Sequence, residues 1–237
     1  MSADLAKELQ AILEGNAPYD NSKHRDLVER NRLAVETLRR GTELQNCDWG
    51  LEYNLASEAP IEHVRKALAL GRINVLYSMY QLQLGDRAGG IRTLSAGIRF
   101  SHDVATDGPL IAALAGKTLL VSHLRLVSSA EKGKALSPAE KALISAALGR
   151  VGDEGIDWDS AIRREFEILA RTGFPAPPLL EEHYRRALQD ARQLPQLQKE
   201  IASAPKSAGD RIPNPQRFFE HKRELHEYLQ ATRLRLR

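Results

Sequence analysis

Apolar side chains recur at intervals of three and four residues along most of the chain, the spacing of amphipathic helices. The clearest run predicts a long helix that ends at Gly85: Ile61, Val64, Leu68, Gly71, Val75, Met79 and Leu82. Asp86 is placed to cap a second helix that carries Ile91, Leu94 and Ile98. After Asp107-Gly108-Pro109, a third helix from Leu110 to about Val127 is apolar nearly all round, so we expect it at the centre of the fold.

The remaining helices are predicted from the same spacing and from start and stop signals. A first helix spans about Ala3 to Glu14, and a second runs from near Asn21 or Ser22 to about Gly41. Its inward residues are predicted to be Leu27, Leu33, Ala34 and Leu38, with Val35 as a further candidate. Ser137-Pro138-Ala139-Glu140 is typical of a capping box. Further helices follow an Asp157 or Asp159 cap, span Leu179 to about Leu194 and on to Ala202, and start at Asn214-Pro215. Residues 45–59 are expected to form a loop.

These elements predict an all-α protein, because alternating strand patterns are absent. The Gly- and Pro-rich stretch 172–178 is the clearest boundary. We therefore expect a helical-hairpin array over residues 1–172 and a C-terminal helical extension over residues 173–237 that packs on the array. Residues 203–213, rich in Ser, Gly and Pro, are expected to connect helices within that extension.

Small residues recur where the helices before and after Gly85 must meet, at Ser78, Gly90 and Gly97, with Leu94 and Ile98 beside them. Small side chains allow helix axes to approach closely, so Gly90 and Gly97 should face the preceding helix. From about Asn74 to His102, this pattern resembles one degenerate tetratricopeptide (TPR) hairpin, as in several uncharacterised bacterial helical proteins. The resemblance implies antiparallel hairpins stacked as a TPR-like α-α superhelix that binds proteins or peptides.

The chain also departs from the TPR pattern. Asn74 or Gln81 stands where the family has an aromatic residue, and His102 stands where it has a proline. One period of 34 residues after Gly85 lies Leu119, inside a predicted helix. An irregular helical bundle is therefore the alternative architecture.

Composition narrows the class of protein further. The net charge of +3 is small, although the pI is about 9.0, and aromatic residues make up only 5 %. With no groove-reading motif, this charge argues against nucleic-acid binding. The chain contains no run of about 18 apolar residues, so no membrane span is predicted. Location stays open: cytoplasmic by default, or exported if Met1 replaces a removed leader.

The sequence contains few residues or motifs that suggest catalysis, metal binding or cofactor binding. Motifs for zinc hydrolases, phosphate-binding loops, dinucleotide binding and serine hydrolases are all absent, so no catalytic residue, metal ligand or cofactor is predicted. Cys47 is the only cysteine and is expected to be an inert thiol. The acids between Asp153 and Asp159 lack the spacing of a calcium loop and are interpreted as helix caps.

The favoured function is therefore a non-enzymatic scaffold for a protein or peptide partner, or for self-association. In a superhelical array the first helix of each hairpin lines the concave face, so Asn74, Tyr77 and Gln81 are candidate ligand-binding residues. On the second helix, Arg92, Arg99 and His102 recur at intervals of three and four residues and complete the candidate set of six. The alternative is a small helical enzyme or small-molecule binder with an Arg/His-lined pocket built from His63, Arg92, Arg99, His102 and His123.

Overall fold

The computed structural model describes residues 3–45, 47–49, 62–171, 179–203 and 212–237. Within these ranges the chain forms eleven α-helices and one short 3-10 helix, with no strand. The predicted all-α class is therefore confirmed. The proposed domain boundary at 172–173, most of the 45–59 loop and nearly all of the 203–213 connector lie outside the described ranges.

Three short helices open the fold: α1 (Ala3–Glu14), α2 (Asn21–Arg30) and α3 (Arg32–Gly41). The prediction of one helix across the second and third is wrong, because the chain breaks at Asn31. The Asn31 side chain donates to the Leu27 carbonyl at 2.8 Å, which competes with the backbone ladder. Beyond the break, Val35 and Leu38 are buried, whereas Leu33 and Ala34 are exposed and not inward as expected.

The central hairpin consists of α4 (Glu62–Gln83) and α5 (Arg87–Ala105). Gly85 turns the chain with φ +84°, a conformation that favours glycine. The Asp86 carboxylate then accepts a hydrogen bond from the Gly89 N–H at 2.9 Å and caps α5. Both the stop at Gly85 and the cap at Asp86 are confirmed.

Close interhelical contact at Gly90 and Gly97 is also confirmed. A Cβ at Gly90 would lie 3.2 Å from the Ser78 carbonyl oxygen of α4, so the two backbones are nearly in contact. The Ser78 hydroxyl in turn donates to the Gly90 carbonyl at 2.7 Å. At Gly97 the nearest atoms belong to the His123 and Asn74 side chains and not to backbone. The second glycine therefore makes room for polar side chains.

The hairpin is followed by α6 (Leu110–Gly133) and α7 (Pro138–Val151). Helix α6 runs past the predicted end at Val127. It is long and apolar enough to span a membrane, with a window of mean hydropathy 1.5, but 72 % of that window is buried inside the fold. That burial explains the apolar composition, and no clear membrane span is present in the described ranges. The Ser137–Glu140 capping box forms as predicted and starts α7.

Helix α7 packs on α5, and its contact with α6 is slight. The stacked second hairpin that a repeat array requires is therefore not formed by α6 and α7. The TPR-like stacking is therefore not confirmed, and α3, α4, α6 and α7 all pack against the buried helix α5.

The chain continues through α8 (Trp158–Arg171), α9 (Leu180–Gln189), α10 (Leu194–Ser203) and α11 (Pro215–Leu236). The Asp157 carboxylate accepts from the Ser160 N–H at 2.9 Å, as expected of a cap. The helix expected to run to Leu194 instead ends at Gln189, and Asp190 caps a short 3-10 turn before α10. Leu225 and Leu229 of α11 are fully buried in the main core, where α11 packs along α6.

Candidate functional site

The six residues proposed from sequence do not form one site. Arg92 is exposed, Tyr77, Gln81, Arg99 and His102 are partly buried, and Asn74 has no exposed surface. The buried and partly buried residues contact other parts of the fold: Asn74 and Gln81 both contact Thr93, Arg99 contacts Thr42, and His102 contacts Gly155. The structure therefore disperses this set.

Asn74 belongs to a sealed polar network between α4, α5 and α6. Its amide donates to the Thr93 carbonyl at 3.0 Å and lies 3.1 Å from Nε2 of His123. Nδ1 of His123 lies 2.7 Å from the Leu119 carbonyl, so the proton is on Nδ1 and Nε2 accepts. Burial lowers the pKa of His123 to about 4, so this imidazole is neutral at physiological pH. Asn74 and His123 therefore position helices and are inaccessible to a ligand.

Gln81 and Tyr77 both lie on α4, and both contact other side chains of the fold. The Gln81 amide donates to the Asp86 carboxylate at 3.2 Å, and its carbonyl accepts from the Thr93 hydroxyl at 2.6 Å, which ties the turn together. The Tyr77 ring packs against the Tyr80 ring, with centroids 5.8 Å apart. The Tyr80 hydroxyl donates to Glu29 of α2. Both predicted residues thus have structural partners.

Arg99 lies near the start of the 42–49 segment, whereas His102 lies beside the Gly155 carbonyl in the connection between α7 and α8. The Arg99 guanidinium is 3.5 Å from the Thr42 hydroxyl, and burial beside Arg150 lowers the pKa of Arg99. Arg150 donates to the Asp103 carboxylate at 3.2 Å and to the Thr42 carbonyl at 2.9 Å. These contacts hold the end of α3 against α5 and α7, so the cluster acts as a structural tie.

The alternative Arg/His-lined pocket is not assembled. His123 is sealed between helices, Arg92 is exposed, and His102 contacts the Gly155 carbonyl at 3.4 Å. His63 lies beside Trp49, with ring centroids 5.9 Å apart. No group of three metal-ligating side chains occurs within the described ranges.

A large open cavity instead lies where three helices end. The C-terminal ends of α1, α4 and α6 meet around an open groove of about 820 Å³, which we call the three-helix groove. Its apolar lining comes from all three helices and from the turn after α1: Ile12, Leu13, Ala17, Pro18, Tyr19, Met79, Leu82, Leu126 and Ala130. Polar side chains edge this apolar floor: Asn16, Gln83, Ser122 and Ser129.

The charged side chains of the groove are all basic. Arg87, Arg125 and Lys134 line it, and none of the described lining residues is acidic. Arg87 is neutralised outside the groove by Glu140 of α7 at 2.8 Å. Arg125 donates from Nε to the Tyr228 hydroxyl of α11 at 3.0 Å, and its guanidinium carbon lies 5.2 Å from the centroid of that ring.

Sequence reasoning missed this groove. The sequence predicted that helices end near Gly15 and Gly85, and it placed the end of α6 too early. That these three helix ends lie together depends on tertiary packing. Periodicity placed Met79 and Leu82 in the core, and it gave no reason to single out Arg125. Two acids of the 153–159 segment have structural partners: Asp153 pairs with Arg233, and Asp159 with Arg163 and Arg185.

Comparison with known proteins assigns no family. No family model matches the chain, and no curated protein and no solved structure matches it significantly. What the fold and the groove define is therefore an all-α protein with an open apolar groove edged by basic side chains.

Proposed function

We propose that this protein is a non-enzymatic helical scaffold that binds a segment of another protein in the three-helix groove. The observation that supports this function is the groove itself, with an apolar floor and an open mouth at the ends of α1, α4 and α6. Binding sites are typically concave, mostly apolar and edged by a few polar groups. This proposal keeps the scaffold function expected from sequence and moves the binding surface away from the six residues first considered.

The length of the groove suits a peptide. Its lining on α6 runs from Ser122 to Lys134, which at 1.5 Å per residue is about 18 Å. That length corresponds to about five or six residues of extended chain, or to about three turns of helix. The hydroxyls of Ser122 and Ser129 lie along this length, and the amides of Asn16 and Gln83 line the groove from the turn after α1 and from α4. These groups can serve the backbone N–H and C=O groups of a bound segment.

The test is selection of displayed random peptides about 12 residues long against the immobilised chain, followed by affinity measurement in solution. We expect one family of peptides rich in large apolar residues. Ser129 is exposed and lines the groove, so Ser129→Trp should fill the mouth and weaken binding at least about tenfold. Thr118→Trp is the matched control, because Thr118 is exposed on the same helix outside the groove.

Two outcomes contradict the proposal. One is a selection that enriches no peptide family. The other is a selected peptide that binds Ser129→Trp and Thr118→Trp equally well, since binding would then occur at another surface.

A further inference from the structure

We infer that the segment bound in the three-helix groove carries an acidic side chain that pairs with Arg125; this inference rests on the function proposed above. Arg87 already has Glu140 as its partner. Arg125 and Lys134 line the same groove, and neither pairs with a carboxylate in the described part of the chain. A groove with basic and no acidic side chains favours a partner of opposite charge.

Arg125 is held in place before any partner arrives. Its Nε donates to the Tyr228 hydroxyl, and its guanidinium lies over the Tyr228 ring. These two contacts restrict the side chain while they occupy only one of its five N–H donors. The two terminal nitrogens remain to form the paired hydrogen bonds that a carboxylate accepts from arginine. A side chain fixed in this way loses less entropy on binding than a free one.

The C-terminus of α6 creates an opposing field, but at the other end of the stretch of α6 that lines the groove. A helix C-terminus carries about half a negative charge that acts over its last turn. Arg87 offsets part of it, because it donates to the Lys134 carbonyl at 2.8 Å. Arg125 precedes Gly133 by two turns, about 12 Å along the axis, which exceeds the screening length of about 8 Å in physiological salt. The positive charge of Arg125 therefore dominates at its own end.

The occupant that fits this distribution of charged, polar and apolar groups is a peptide segment and not a free fatty acid. An acyl chain needs an uninterrupted apolar enclosure, whereas this groove is open and is edged by polar groups: Asn16, Gln83, Ser122 and Ser129. A peptide with apolar side chains, an exposed backbone and one Asp or Glu satisfies both the floor and Arg125.

The experiment uses the full chain and one peptide from the selection in three versions, with Glu, Gln or Lys at the acidic position. We expect the Glu version to bind at least about tenfold more tightly than the Gln version, with the Lys version weakest. Arg125→Gln should remove the preference for Glu over Gln and flatten the dependence of affinity on salt. Arg92→Gln, at an exposed arginine outside the groove, should leave both unchanged.

The Tyr228→Phe variant distinguishes the effect of positioning Arg125 from the effect of its charge. It keeps the ring under Arg125 and removes the hydroxyl that accepts from Nε, so the Glu preference should fall only a few-fold. If Arg125→Gln preserves the Glu preference while Ser129→Trp abolishes binding, the groove binds peptides and the inferred pairing is wrong. If laurate binds with dependence on Arg125 and no peptide does, the occupant is an amphipathic small molecule and both proposals fail.

Discussion

At the scale of single residues, the centre of this fold depends on His123. Gly97 makes room for this histidine because glycine has no side chain. A Cβ at Gly97 would lie 2.0 Å from Nε2 of His123 and 2.3 Å from the Asn74 amide nitrogen. Glycine costs stability inside a helix, so its use here reflects the space that the polar pair requires. Gly97, Asn74 and His123 thus set the spacing of α5 against α4 and α6.

The first prediction concerns this space. We expect Gly97→Ala to lower the free energy of unfolding by about 1–3 kcal/mol, because the buried pair has little room to move. Gly149→Ala in α7 is the control: a Cβ there meets nothing within 4 Å, and alanine should stabilise the helix by up to about 1 kcal/mol. Urea unfolding followed by circular dichroism measures both. Equal effects of the two changes would contradict the close contact.

The second prediction concerns pH. The His123 pKa is about 4 in the folded chain, against about 6.5 when unfolded, so the unfolded state binds the extra proton first. The stabilisation from neutral His123 is complete above about pH 6.5 and is lost as the pH falls towards about 4, a change of about 3 kcal/mol.

The measurement is urea unfolding at about pH 7 and about pH 4.5. His123→Gln should reduce the difference between the two pH values, whereas His226→Gln, at an exposed histidine, should not. A wild-type pH dependence that persists in His123→Gln would show that other groups carry it.

At the scale of helices, local chemistry predicted most starts and stops. Asp86, Ser137 and Asp157 cap helices as expected because each side chain reaches a backbone N–H within three residues, which is a purely local matter. The break at Asn31 is local too, but an asparagine inside a helical pattern signals a break only weakly. The extension of α6 to Gly133 is instead supported by burial that the sequence does not display.

The candidate site could not be predicted to the same extent, for a physical reason. Asn74 and Gln81 were correctly placed on α4 and in the hairpin, but whether a helix face meets solvent or another helix depends on partners far along the chain. His123 comes from α6, 49 residues after Asn74. The three-helix groove likewise needs α1, which contacts α4 and α6 from the start of the chain. These long-range contacts leave no periodic signal.

At the scale of the whole molecule, α11 is part of the core, in which Leu225 and Leu229 are fully buried. Lys117 of α6, only 8 % exposed, pairs with Glu224 of α11. Because Gly155 has no side chain, Leu225 and Leu229 can approach the connection between α7 and α8. Helix α11 therefore seals part of the surface of α6.

The last prediction follows from this seal. A chain that ends at Arg171 lacks α9, α10 and α11 and should fail to fold cooperatively. Each large apolar side chain lost from the core, such as Leu225 or Leu229, costs about 1.5–3 kcal/mol, and a domain is stable by only about 5–15 kcal/mol in total.

Thermal unfolding followed by circular dichroism checks this, with a chain ending at Arg233 as control. That control removes only four residues, of which Leu234 is 64 % exposed and Leu236 is partly buried against the core, so it should unfold far closer to the wild type than the chain ending at Arg171. A cooperative transition at the wild-type temperature for the shorter chain would mean that residues 1–171 fold independently.

The meeting of three helix termini at one edge has a consequence for local motion. Terminal turns have fewer intrahelical hydrogen bonds than central ones and open first, well before the chain unfolds globally. The rim of the groove, at Gly15, Gly85 and Gly133, therefore coincides with the least protected turns of α1, α4 and α6, while its floor belongs to the rigid interior. A rim that opens easily over a fixed base can adjust to guests of different bulk without disturbing the centre of the molecule.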